Sequence, residues 1–406
     1  MALALSVLTV LGGGVGAETQ AVLDPCEDAS HWQTSGEVTV SRIEGPESPA
    51  ILIEYATEKA KGPAFAHRPA RGDYTWDVPD GGMSLWLKGD GSGGFFAVEL
   101  VDSSFKLRYA ALVPLKDTAW HRVDLPWREF VPEVYQASAR PLPLYHPQGG
   151  LWAHIVRNLF IGRWWYFLGH FGPYHVAIDT ITLENDLPFD ATDYTPTQAG
   201  IPRTLAKLQA KHPVTVVCMG DSITFGVGAG GPSGAYPGKL QGLLREHFGY
   251  DGIRVVNSGV GGLQVPQGSV LIPRDVVPHQ PDLVTVLYGY NDLAPGGVTP
   301  DQFRDAVSIL IDRVRRLTKG ETEVLLVTSL PGTSADAWEN LKVGSEVMRE
   351  LAAEKRCGLC GAGAVFRELG RETLIADYFR SGDTAHPNAK GQDLLARLLL
   401  EAIVDR

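Results

Sequence analysis

The texture of the chain changes once, near residue 214, and that change limits the fold more than any other feature of the sequence. From there, continuous apolar runs recur at Val214–Met219, Ile253–Val256, Leu283–Tyr288 and Val324–Thr328. Strands that are apolar on both faces belong in a parallel sheet covered by helices. The segments between them are helical in pattern, most clearly Phe303, Ala306, Val307, Leu310, Ile311, Val314 and Leu317. That helix opens with Thr299-Pro300-Asp301-Gln302, a cap residue, a proline at the first helical position and a glutamine three residues on. A last helix carries Leu394, Leu395, Leu398, Leu399 and Ala402 on one stripe. Residues 214–406 therefore read as a three-layer α/β/α sandwich around a parallel sheet.

The first half is different. Eight of the nine tryptophans lie before residue 170, and short alternating runs such as Met83–Leu87, Phe95–Val101 and Val176–Leu183 are separated by Gly, Asp, Ser and Pro turns. Many short strands without long amphipathic helices indicate a β-sandwich over residues 18–184. Residues 185–213, rich in Thr, Pro and Asp, read as a linker with a short helix. The apolar run Ala2–Ala17 ends in Val15-Gly16-Ala17, a small-residue cleavage pattern, so residues 1–17 read as a signal peptide that lacks a basic start. A mature chain beginning near Glu18 is expected to be secreted or periplasmic.

Composition removes several function classes. Lys plus Arg total 36 against 47 for Asp plus Glu, a formal charge of −11, which is no footprint for gripping nucleic acid. No internal stretch approaches the ~20 apolar residues of a membrane span. The four cysteines, Cys26, Cys218, Cys357 and Cys360, are too few for a disulfide framework, and the Cys357–Cys360 spacing has no second pair to complete a metal site. They read as structural or incidental thiols.

Chemistry concentrates at the carboxyl ends of the parallel strands, where open α/β sheets place their ligands. The first strand runs into Gly220-Asp221-Ser222, so Ser222 is placed like a nucleophile, although Asp-Ser also simply caps helices. Gly226, Gly228 and Gly231 match G-x-G-x-x-G but start well past the strand, which argues against a dinucleotide site. Of four histidines in this half, His212 lies at the wrong strand end, and His247 and His279 read as surface or packing residues. His386 follows Asp383 by three residues just before the last helix, a spacing that lets the carboxylate take the Nδ1 proton and leaves Nε2 to deprotonate a serine. Two further loops, Asn257–Gly262 and Gly289–Asp292, can supply donors to a developing oxyanion.

Gly-Asp-Ser, then N-x-x-x-x-G, G-x-N-D and D-x-x-H, in that order over about 170 residues, resembles the SGNH (GDSL-type) hydrolase family, with its flavodoxin-like fold. The resemblance implies Ser222 as nucleophile, His386 as base and Asp383 as its orienter. It also implies an oxyanion hole of the Ser222 and Gly262 backbone N–H groups and the Asn291 side chain, with no cofactor and no catalytic metal. Tyr290 stands where many members carry Thr, and with Asp221 it is a candidate substrate contact.

The first half resembles, less specifically, the galactose-binding-like jelly rolls found beside carbohydrate enzymes. On that resemblance Trp164, Trp165 and Tyr166, with Phe167, Phe171 and Tyr174, form an aromatic platform for sugar rings, and Asp179 and Glu184 help hold a structural Ca²⁺. The expected activity is hydrolysis of O-acetyl esters on an acetylated polysaccharide or oligosaccharide. An SGNH lipase or lysophospholipase and a catalytically silent glycan-binding protein are the alternatives. Because the second half holds every reacting group, the sandwich is expected to be dispensable for small-ester chemistry.

Overall fold

The computed structural model describes residues 20–56, 64–69, 81–102, 107–134, 156–163, 166–167, 173–294 and 297–404. The proposed signal peptide, Trp164, Trp165 and Phe171 lie outside the described residues.

In the first half the alternating runs form β1 (Gln20–Asp24), β2 (Gln33–Ser35), β3 (Val38–Glu44), β4 (Pro49–Tyr55), β5 (Ala64–Pro69) and β6 (Gly82–Lys88). They continue as β7 (Phe95–Asp102), β8 (Leu107–Pro114), β9 (His121–Pro126), β10 (Val131–Val134), β11 (Val156–Arg163) and β12 (Tyr174–Glu184). Pairing is antiparallel throughout and yields two six-stranded sheets. One has the order β3-β4-β12-β6-β9 with β1 on β12, and the other β10-β8-β7-β11-β5-β2. The period-two pattern accounts for the packing: Met83, Leu85 and Leu87 of β6 are buried, while Trp86 between them is 41% exposed.

The second half contains β13 (Val214–Gly220), β14 (Ile253–Gly259), β15 (Leu283–Leu287), β16 (Glu323–Val327) and β17 (Gly358–Cys360) in one parallel sheet of order β14-β13-β15-β16-β17. Helices α1 (Pro202–Gln209), α2 (Ser222–Phe225), α3 (Tyr236–Phe248), α4 (Val265–Asp275) and α5 (Tyr290–Leu293) follow in chain order. They are succeeded by α6 (Pro300–Leu317), α7 (Ala335–Glu354), α8 (Ala362–Glu368), α9 (Arg371–Thr373) and α10 (Ala389–Val404). The Thr299 capping box at the start of α6 forms as its sequence requires. All four cysteines are buried and unbridged, and burial pushes the Cys218 thiol up to about 12 and Cys357 to about 11.

Helix α4 decides how the halves relate. None of its residues is exposed: Val265 through Ile272 and Arg274 are all buried, and Pro273 and Asp275 are half-buried. One side lies against the parallel sheet and α6, and another against β8 and β10 of the sandwich. A continuous apolar cluster joins Tyr109, Phe130 and Val131 of the sandwich to Val270, Leu271 and Ile272 of α4 and to Phe303 and Ile311 of α6. Beside it, Glu129 accepts from Arg313 (2.8 Å) and takes Arg316 on both oxygens (2.5 and 2.9 Å). Burial opposes the charge on Glu129, but the two guanidiniums hold its carboxyl below the usual range. The 185–213 segment is equally engaged, because Lys319 binds Asp190 (2.6 Å) and Arg356 donates to the Pro196 and Thr197 carbonyls.

The expectation of a dispensable sandwich therefore meets a fold in which the sandwich covers a buried helix of the other half. Each large aliphatic side chain removed from water contributes about 2 kcal/mol, and whole domains hold only about 5–15 kcal/mol. A chain starting at residue 199 should consequently aggregate or melt well below the full-length protein. A soluble monomeric truncation with unchanged Tm, measured by scanning calorimetry, would show that α4 does not need its cover.

Candidate active site

Strand β13 delivers the site. Its last residue, Gly220, is followed by Asp221 as the cap of α2 and Ser222 as the first helical residue, with the Asp221 side chain accepting the Ile223 N–H at 2.8 Å. Ser222 Oγ lies 2.8 Å from His386 Nε2, and His386 Nδ1 lies 2.7 Å from Asp383 Oδ2. Residues 164 positions apart in sequence thus form a continuous Ser–His–Asp relay. The other oxygen of Asp383 accepts the Ala385 and His386 backbone N–H groups (2.8 and 3.1 Å). Burial raises the Asp383 carboxyl, but these N–H donors and the imidazole outweigh it and hold the group below its ordinary value. An ionised Asp383 keeps the Nδ1 proton in place and leaves Nε2 to accept from Ser222.

The loop bearing both residues is closed on itself and on its neighbours. Arg380 N–H donates to the His386 carbonyl (2.9 Å), Thr333 N–H to the Thr384 carbonyl (2.8 Å), and Phe379 bridges Pro387. Asn388 then caps α10, accepting from the Lys390 and Gly391 N–H groups. The middle glycine of G-x-G-x-x-G finds its reason here: a Cβ on Gly228 would come within 2.2 Å of the Pro387 carbonyl oxygen. Gly228 lets the turn after α2 press against the histidine loop.

The residues expected to donate to an oxyanion lie on turns adjoining Ser222. The Ser222 N–H belongs to the first turn of α2, where helical N–H groups have no intrahelical acceptor. Gly262 occupies the left-handed region (φ +80°) in the β14–α4 turn, and neighbouring Gly261 lies beside Ser222. Asn291 donates one side-chain N–H to the Leu263 carbonyl (2.9 Å), which ties its amide to that same turn. Asn257, the first residue of its motif, holds the turn from behind by donating to the Thr224 carbonyl and accepting the Gly259 N–H.

Several candidates are corrected or placed. Asp221 is fully buried behind Ser222, with Oδ2 3.5 Å from Asn291 Nδ2, so it supports the donors and cannot touch substrate. Tyr290 is partly exposed and its hydroxyl meets Thr384 Oγ1 at 3.2 Å, which puts its ring in the wall beside the histidine loop. Tyr166 and Phe167 have no exposed surface, and Tyr174 is stacked on Tyr55 in the sandwich core. Buried in this way, they present no face on which a sugar ring can stack. Glu184 is held by Arg122 (2.6 Å) and Ser84, whereas Asp179 pairs with Thr180, so the two share no site. Among the described residues no group of three or more His, Cys, Asp or Glu side chains has metal-binding geometry.

Three positioning residues were not singled out from sequence. Gln392 of α10, fully buried, donates to the Ile223 carbonyl and accepts the Tyr236 N–H, linking α10 to the serine helix. Gln264 donates to the Asn291 carbonyl, and Asp292 Oδ1 accepts the Val265 N–H. Asp292 lay inside a quoted motif, whereas the two glutamines have no local signature.

Residues 218–394 match the family model described as GDSL-like Lipase/Acylhydrolase. The C-terminal half carries a GDSL-like acylhydrolase domain. An acetylxylan esterase of Geobacillus stearothermophilus is 27% identical over 205 residues, covering 46% of this chain and 91% of that protein. A crystal structure of an acetylxylan esterase from the same organism is 24% identical, with a TM-score of 0.40, over 47% of this chain and 94% of the other. An α/β hydrolase from the metagenome of Lake Arreo, Spain, is 23% identical over the same shares, with a TM-score of 0.41. The matches cover the acylhydrolase domain, not the whole chain. No helix among the described residues is long and apolar enough to cross a membrane.

Burial lifts the Asp221 carboxyl to about 6 and Asp292 to about 7, and for Asp292 the nearby Asp221 charge adds to the effect. A carboxyl whose folded pKa lies above its unfolded value binds its proton more tightly when folded. Its contribution is therefore lost as pH rises from about 4 through about 7. Asp292→Asn cannot ionise, so its Tm should gain on wild type steadily between pH 4.5 and 8. Parallel Tm curves over that range would mean Asp292 does not titrate there.

Proposed function

We propose that this chain is a serine esterase that removes small acyl groups, most simply O-acetyl, from carbohydrate through an acyl-enzyme on Ser222. The observation that carries the proposal is the relay from Ser222 Oγ through His386 to Asp383, at 2.8 and 2.7 Å, in a GDSL-like acylhydrolase domain. His386 Nε2 takes the Ser222 proton as Oγ attacks the ester carbonyl. The oxyanion that develops is received by the Ser222 and Gly262 N–H groups and the Asn291 amide. Collapse expels the sugar hydroxyl, which leaves with the proton from His386. A water deprotonated by His386 then attacks the acyl-enzyme, releasing the acid and restoring Ser222.

Carbohydrate as the alcohol is supported by the likeness to an acetylxylan esterase, and a small acyl group by the same likeness. Export through residues 1–17 and a jelly-roll classification of the first half belong to this proposal.

Ser222→Ala should lower turnover of 4-nitrophenyl acetate by at least about 10³-fold in a protein that melts like wild type. An organophosphate should label wild type at Ser222, located by peptide mass spectrometry. A folded variant that keeps its activity would remove Ser222 from the mechanism.

Acyl specificity separates the acetylesterase from a lipase. Where an apolar groove receives them, added methylenes contribute ~0.8 kcal/mol each. Here turnover is expected to fall from acetyl to butyryl to octanoyl 4-nitrophenyl esters. A preference for octanoate would reassign the enzyme to long-chain esters.

A further inference from the structure

We propose that the outer face of the β6 sheet holds a sugar-binding site built on Trp86, remote from Ser222, that takes a neutral pyranose ring of the glycan. The inward residues of β6 are Met83, Leu85 and Leu87, all in the core, so Ser84 and Trp86 face away from it. Strand pairing sets Trp86 opposite Arg122 on one side and Asp179 on the other, and Ser84 opposite Asp124 and Thr182, with Val22 beyond Thr182. A cavity of about 310 Å³ opens on this face, lined by Val22, Ser84, Trp86, Arg122, Thr180 and Thr182, a size within the ordinary range of small-ligand sites.

Its chemistry is that of a sugar site. Trp86 is 41% exposed and lines the cavity, so part of its ring is available to the axial C–H groups of a pyranose. Beside it the Arg122 guanidinium is fixed between Asp124 (2.6 Å) and Glu184 (2.6 Å), and Glu184 also accepts from Ser84. This network, with the Thr180 and Thr182 hydroxyls, offers donors and acceptors already held in position for ring hydroxyls. Thr180 sits in the bulge of β12 at φ +39°, a conformation that β-branched residues rarely adopt. Such outliers gather at ligand sites. Two carboxylates against one guanidinium leave the network net negative, which disfavours uronates and phosphates and selects a neutral ring.

The contacts to α4 come from the other sheet, so this face lies on the order of 20 Å or more from Ser222, given ~10 Å per packed layer. The site therefore acts on polymer retention and not on the chemical step. The choice of glycan rests on the proposed esterase function; the site itself does not.

The test uses full-length protein carrying Ser222→Ala, titrated with xylohexaose, mannohexaose and cellohexaose by calorimetry. At least one hexaose should bind, and adding Trp86→Ala should weaken it tenfold or more while Trp86→Phe stays within about threefold. In the active background, Trp86→Ala should leave 4-nitrophenyl acetate turnover unchanged and slow acetate release from insoluble acetylated xylan. If none of the hexaoses binds, or Trp86→Ala binds as its parent does, the site is refuted. Should Trp86→Ala fail to fold, the Trp86→Phe comparison with Trp86→Leu decides the same point, since only the ring is lost. Failure of wild type to release acetate, with hexaose binding intact, would refute the esterase reading and leave the site standing.

Discussion

A helix with no exposed residue has to be covered on every side, and α4 is such a helix. Its first turn forms part of the cradle around Ser222: the Gly262 turn precedes it, Gln264 reaches the Asn291 carbonyl, and Val265 donates to Asp292. Its body is covered by the parallel sheet, by α6 and by β8 and β10. Arg313 ties these layers together, donating to the Ser269 carbonyl of α4 and to Glu129 of the sandwich. The turn beside Ser222 is thus coupled to a surface contributed by a segment more than a hundred residues earlier in the chain.

Charge is handled in opposite ways on the two sides of Ser222. Asp383, hydrogen-bonded to two backbone N–H groups and an imidazole, is held ionised. Asp221 and Asp292, buried with few donors, are pushed toward neutrality, and Asp292 Oδ2 has no partner among the described residues. Near neutral pH the two together therefore carry less than two full charges, which lessens the opposition that ionised carboxylates behind Ser222 would offer to a developing oxyanion. Identical side chains serve different ends because their hydrogen-bond supply differs.

Much of this was legible in the sequence. The parallel sheet announced itself through runs such as Leu283–Leu287, every residue of which is buried, and the Asp383–His386 spacing already implied the loop geometry. Exposure was not legible in the same way. Tyr166 and Trp86 are both aromatics of the sandwich half, yet one is fully buried and the other half-exposed. For Trp86 the clue was available, since it falls on the outward phase of an alternating strand; Tyr166 lies in a turn, where alternation says nothing. The union of the two halves was hidden as well, because Glu129 and Arg316 are 187 residues apart and each alone is an ordinary surface charge.

The placement of Asp383 and His386 on one short loop has a consequence for how such a protein can change over time. Their mutual geometry is inherited as a cassette. Insertions in other loops, or a new module attached at the amino end, leave the imidazole–carboxylate pair as it was. What such changes can disturb is the seating of that cassette against the serine turn, which depends on Gly228 and Gln392. Variation in the surroundings is therefore free to retune access and substrate choice, while the lineage keeps one proton-handling unit and has only its docking to preserve.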